Sequence, residues 1–166
     1  MPLSPETVAG DLPEGCAALT PVLWEQLGKT RKFEIVAVNA ETLRIRTGRM
    51  NWTGAENLPP DFFAFLRHEY SCDGVLFAEL TAYRGYSPMA VGWRLKLVDS
   101  RSGQILWSAD EMFDAGRAKV ARGLQKFEEP PVIWAFYHQD NWLALNSPCQ
   151  LGRYSAAAVL DTLPDR

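Results

Sequence analysis

The sequence predicts an α/β fold: a mixed sheet in which a parallel crossover pair of strands is followed by an antiparallel hairpin, with helices packed on the sheet. Three observations predict it. The order strand, helix, strand from Phe33 to Tyr83 demands a crossover connection, and crossovers join parallel strands with a right-handed turn. Apolar residues then alternate with polar ones through "VGWRLKLVDSRSGQILWSAD", Val91 to Asp110, around a serine-glycine loop. Between and after these strands, apolar residues recur at helical spacing.

Each element has its own warrant. Residues 1–16 carry Pro, Gly and acids and read as a flexible lead-in, leaving 17–166 as a single domain. Thr20-Pro21 has the form of a helix cap followed by proline at the first helical position. Val22, Leu23 and Leu27 then give the periodicity and Gly28 a stop. "KFEIVAV", Lys32 to Val38, is β-branched and aromatic and predicts a largely buried strand. Asn39 caps a short helix that Gly48 ends. Pro59-Pro60-Asp61 opens a helix with Phe62, Phe65, Leu66 and Tyr70 near one face. "DGVLFAELTAY" is the second strand. In the hairpin, Met89, Val91, Trp93, Leu95 and Leu97 share one face and Ala90, Gly92, Arg94, Lys96 and Val98 the other, the wetter one. Arg94 and Lys96 are expected to face solvent or to pair with Asp110 and Glu111. Trp107 is expected to pack. "DAGRAKVARGLQKFEE" is helical in composition but interrupted by Gly116 and Gly123. "VIWAFYHQDNWLAL" fits strand or helix equally, and Ser147-Pro148 opens a closing helix that ends near Pro164.

Composition narrows the function. A chain of 166 residues, 47% apolar, builds a core without a metal or a disulfide. The net charge of −3 argues against nucleic acid as a partner. No apolar run is long enough for a membrane span. The amino-terminal stretch lacks the basic end and apolar stretch of a secretory leader, and Pro13, Glu14 and Gly15 before Cys16 do not suit a lipobox. Cys16, Cys72 and Cys149 have no zinc-ligand spacing. Cys72 and Cys149 read as small buried residues, and a disulfide between two of the three requires an oxidising compartment.

Catalytic patterns are missing. "RGYSPM" around Ser87 lacks the second glycine of a nucleophile elbow. His68 reads as a solvated helix residue, and His138 with Asp140 is too few ligands for a metal. Asp110, Glu111 and Asp114 are the densest acids, but the first two point to opposite faces of a strand. No glycine pattern cradles phosphate, so no cofactor is expected and no catalytic or metal residue is assigned. What stands out is a set of aromatics and one arginine: Trp52, Tyr83, Arg84, Tyr86 and Trp142. Each fits as a cap on the core edge. Together they are the candidate partner surface, because Trp, Tyr and Arg dominate interface hot spots.

A longer pattern carries a resemblance. Asp73-Gly74-Val75, Thr81-Ala82-Tyr83, Leu95-Lys96-Leu97-Val98-Asp99 and Gly103-Gln104-Ile105-Leu106-Trp107 match the strand start, strand end and hairpin of a group of bacterial envelope domains. The group includes the amino-terminal domain of TolB, the lipoprotein activators of penicillin-binding proteins and the curli secretion lipoprotein. Glu79 stands where the group carries glycine. "LTPVLWEQLGKTRKFEIV" resembles the group's opening helix and strand, and "RYSAAAVLDTLP" its last helix. The resemblance implies a mixed α/β sandwich that is not an enzyme. It implies a place in the periplasm, associated with the outer membrane, and a role in holding envelope proteins. Membrane attachment is then expected only through a lipid anchor outside this chain, and a homo-oligomer is compatible. The competing reading is a small-ligand-binding protein or enzyme with a pocket near Asp110, Glu111, Asp114 and His138.

Overall fold

The computed structural model describes residues 12–127 and 147–164. In chain order the elements are α1 (Leu12–Thr30), α2 (Ala40–Thr47), α3 (Phe62–Tyr70), β1 (Gly74–Arg84), β2 (Ala90–Asp99), β3 (Ile105–Asp114), α4 (Ala118–Phe127) and α5 (Pro148–Leu160). The three strands form one antiparallel sheet in the order β1-β2-β3. The fold is therefore mixed α/β, with the hairpin as expected and without the parallel crossover pair.

The strand expected at Lys32–Val38 is what removes the crossover. The segment bends at Lys32 and Phe33 and then runs without regular structure into α2, joining no ladder, and Val36 and Val38 are 57% and 37% exposed. β-branched residues favour a pleated surface only where a neighbouring strand and a core receive them. At the end of this segment the Asn39 amide donates instead to the Tyr70 hydroxyl, 3.0 Å away. Asn39 then caps α2 as read, its Oδ1 accepting from the Glu41 and Thr42 amides at 2.8 and 3.2 Å. Gly48 closes that helix at φ +79°, a conformation glycine takes without Cβ strain.

The described chain divides into two compact units. In the first, α1, α4 and α5 accompany residues 80–93 and 111–114 of the sheet. The helix α1 begins at Leu12, eight residues before the expected cap, and takes in residues 12–16 of the stretch read as a lead-in. Pro21 lies inside it and withholds one amide from the preceding turn. The Thr20 hydroxyl donates to the Cys16 carbonyl at 2.6 Å, so the threonine serves the helix interior rather than its cap. Leu19, Val22, Leu23 and Leu27 form its buried face. The inner face of α5 is Leu151, Gly152, Ser155, Ala156, Val159 and Leu160. Three of these are small, so Leu19 of α1 fills the space over Gly152, where a Cβ would stand 2.4 Å from Leu19 Cδ2. Gly15 of α1 likewise receives the Tyr83 ring, whose Cγ would lie 2.4 Å from a Cβ. Gly123 does not break α4, because the Tyr154 side chain covers it. The Trp93 indole, 3% exposed, donates to Ser155 Oγ at 2.8 Å, and that hydroxyl donates to the Gly152 carbonyl at 3.0 Å.

In the second unit, Leu43, Phe62, Phe65, Leu66, Phe77 and Val98 make a core between α2, α3 and the strand segments 74–79 and 94–99. Val98 and Ala90 of β2 are buried, 4% and 2% exposed, so the second face of that strand is drier than its alternation suggests; only Arg94 on it is exposed. The hairpin loop is held by Asp99, whose carboxylate accepts from the Arg101 amide at 2.8 Å and the Ser102 hydroxyl at 2.9 Å. Those two donors, the amide first, hold its carboxyl below the usual range. Gly103 turns at φ +68°, and buried Ser100 donates to the Cys72 carbonyl at 2.7 Å.

Two measurements test this packing. Gly15→Val forces two methyls against Tyr83 and Leu80 and should lower the unfolding free energy by about 2 kcal/mol in urea titration; a variant as stable as the parent would exclude the close approach. Ser155→Ala strands the Trp93 N–H and should cost about 1–3 kcal/mol. In the Trp93→Phe background the same change should cost much less, and an equal loss in both backgrounds would show that the bond is not formed.

Candidate functional site

Of the five residues read as a partner surface, four lie among the described residues. Tyr83 and Arg84 are buried, 4% and 8% exposed, and so supply no accessible surface. Tyr83 is core because Gly15 leaves room for its ring. The Arg84 Nε donates to the Pro88 carbonyl, and its terminal nitrogen lies 3.7 Å from Asp114 Oδ1. A guanidinium buried in this way is a brace between the β1–β2 turn and the end of β3. Trp52, in the second unit, is half-buried and engaged on several sides. Its Nε1 donates to Thr47 Oγ1 at 2.8 Å, the Phe62 ring meets it edge-on at 6.0 Å, and the Arg49 guanidinium lies 4.6 Å from its ring centre. Among the described members of the set, Tyr86 alone is openly presented, at 53% exposure. Trp142 lies outside the described residues, as does His138.

Tyr86 precedes a cleft. Ser87, Pro88, Met89, Ala115, Gly116, Ala121 and Leu124 line an open space of about 200 Å³ in the first unit. Its floor is apolar, since Met89 and Leu124 are 2% and 0% exposed. Its walls are fixed by the backbone: the Ala115 amide donates to the Met89 carbonyl at 2.8 Å, the Gly116 amide to Asp114 Oδ1 at 2.8 Å, and the Arg117 amide to the Asp114 carbonyl at 2.9 Å. Such a space accepts an apolar side chain and offers no set of converging polar groups for chemistry. The periodicity of the sequence had no means of finding it, because its residues come from a turn, a strand end and a helix. In the second unit, the space beside Thr53, Gly54, Phe77 and Lys96 is about 10 Å³, barely one water's worth.

In the acidic group proposed for a pocket, two carboxylates already have partners. Asp110 accepts from Arg94 Nε at 2.8 Å, and Asp114 is engaged by Arg84 and the Gly116 amide. The Asp110 bond, then the Glu79 carboxylate at 3.6 Å, keeps Arg94 charged, raising its pKa. The other expected pairing shifts: Lys96 donates to the Gly54 carbonyl. Among the described residues no group of three His, Cys, Asp or Glu side chains could hold a metal ion. His68 is exposed on α3. Cys149 is exposed rather than buried, because it stands on the outer side of the first turn of α5, whereas Cys72 is partly buried and burial pushes its thiol up. Among the described residues no helix is long and apolar enough to cross a membrane.

No protein-family model matches the chain, and no curated protein matches its sequence. Among solved structures, the lipoprotein GNA1162 from Neisseria meningitidis is similar over 57% of this chain and 73% of its own, with 21% identity and a TM-score of 0.32.

Proposed function

We propose that the chain is a non-catalytic protein-interaction module of the bacterial cell envelope, an accessory of an envelope assembly that works in the periplasm. The single observation that carries the interaction reading is the cleft beside Tyr86. An exposed tyrosine next to an open, backbone-braced recess with an apolar floor is the form of an interface anchor point: the ring supplies contact area, and the recess receives a partner's apolar side chain. What supports the envelope part of the reading is the motif resemblance from Asp73 to Trp107. Partner identity and self-association follow from the same test.

A photo-crosslinking residue in place of Tyr86, with the chain expressed in a bacterial envelope, should capture one or a few defined proteins. The same residue in place of Ile45, which is 71% exposed on α2, serves as the reference position. Capture at 86 but not 45, abolished by Ala121→Phe filling the recess, is the expected result. Equal capture at both positions, or none at either, defeats the reading. Capture of a second copy of the chain would make the assembly homo-oligomeric.

A further inference from the structure

The geometry points to a second surface, on the outer side of α4: a cationic stripe that docks on an anionic phospholipid bilayer. Lys119, Arg122 and Lys126 are all exposed. At 3.6 residues per turn their spacing of three and then four places them within an arc of about 60°, spread along about 10 Å of helix. Val120 and Leu124, the buried residues of α4, lie about 150° away on the opposite side. The helix holds no acidic residue from Ala118 to Phe127, and among the described residues none of the three cations is in an ion pair. Arg101, Arg94, Arg49, Arg44 and Lys29, by contrast, each face a carboxylate. Glu128 and Glu129 follow in sequence and lie outside the described residues.

Two features favour a lipid surface over an acidic protein or a nucleic acid. Two of the three cations are lysines, point charges that tolerate a fluid array of phosphates, and the arginine already spends its Nε on the Ala118 carbonyl at 3.1 Å. A fixed carboxylate pattern would instead reward free guanidinium forks. The second feature is Phe127, 46% exposed in the last turn, with its inner side against the Tyr154 ring at 5.8 Å. Phe127 lies about 100° round the helix from Lys126, between the cationic side and the buried one; an apolar ring on the flank of a cationic stripe suits the headgroup boundary, where phosphates lie above acyl chains.

The test is sedimentation with vesicles at about 0.1 M salt, made of phosphatidylcholine alone or with roughly one lipid in three replaced by phosphatidylglycerol. The parent protein should bind only the anionic vesicles and be released by high salt. Removing charge at Lys119→Gln, Arg122→Gln and Lys126→Gln together should weaken partition about a hundredfold, roughly fivefold for each cation. Lys29→Gln, Arg44→Gln and Arg101→Gln remove the same total charge elsewhere and should change it by about twofold or less. Circular dichroism melts confirm that both triple variants fold. Equal binding to neutral and anionic vesicles, equal loss in the two triple variants, or stripe-dependent capture of an acidic protein or nucleic acid without vesicle binding would overturn the proposal. Because vesicles contain no protein, failure here leaves the Tyr86 cleft untouched, and the reverse.

Discussion

The hydrogen bond from the Trp93 indole to the Ser155 hydroxyl is the constraint on which the first unit depends. An indole N–H is donor only, and once buried it must find an acceptor or cost about 1–3 kcal/mol, more than the bond itself contributes. The serine that answers it donates its own hydrogen bond to the Gly152 carbonyl, so it too is satisfied. Together these bonds set the rotation of α5: Ser155 must face β2. With that rotation set, Gly152 and Ala156 lie on the buried side, and Leu19 can settle over Gly152. Apolar burial holds these helices together, but burial has no direction. The polar pair inside it selects one arrangement among the many that would bury similar area.

In the second unit the selecting role falls to the hairpin loop. Asp99 gathers the Arg101 amide and the Ser102 hydroxyl, Ser100 reaches the Cys72 carbonyl, its amide donates to the Asp73 carbonyl at 2.9 Å, and Arg101 pairs with Asp73 at 3.2 Å. Asp73, Asp99 and Gly103 are among the residues on which the resemblance to envelope domains rests. Their work here is turn formation and the anchoring of a strand start. A pattern made of such residues identifies a way of building a hairpin, and a hairpin can serve many functions. The functional argument therefore has to be made from surfaces, not from the motif.

Where local chemistry decides an element, it was legible. Asn39 and Gly48 bracket α2 because a carboxamide cap and a left-handed glycine act within one turn. The alternation from Val91 to Asp110 specified a hairpin for the same reason. Where a distant partner decides, the sequence misled. "KFEIVAV" has the composition of a strand but no ladder receives it. Thr20-Pro21 has the form of a cap, yet the helix runs through it from Leu12. Gly123 looks like a breaker until Tyr154 covers it. Tyr83 and Arg84 fit either a cap on the core edge or a partner surface by sequence, and Gly15 and Asp114 draw them inward. The recess that follows Tyr86 was not legible, since Met89, Ala115 and Leu124 meet only in three dimensions.

Net charge misleads in a related way. A sum of −3 over the whole chain suggests a molecule that avoids anions. At physiological ionic strength, however, charges further apart than about 8 Å hardly feel one another through solvent, so an approaching surface responds to the patch in front of it. Among the described residues, Asp110, Asp114, Glu41 and Glu56 are paired with arginines. Each such pair is close to neutral at a distance. The cations of α4 have no such partner among the described residues. Helix α4 thus separates two tasks by angle. Val120 and Leu124 hold it to the fold, while the side they leave outward is free to differ in sign from the molecule as a whole.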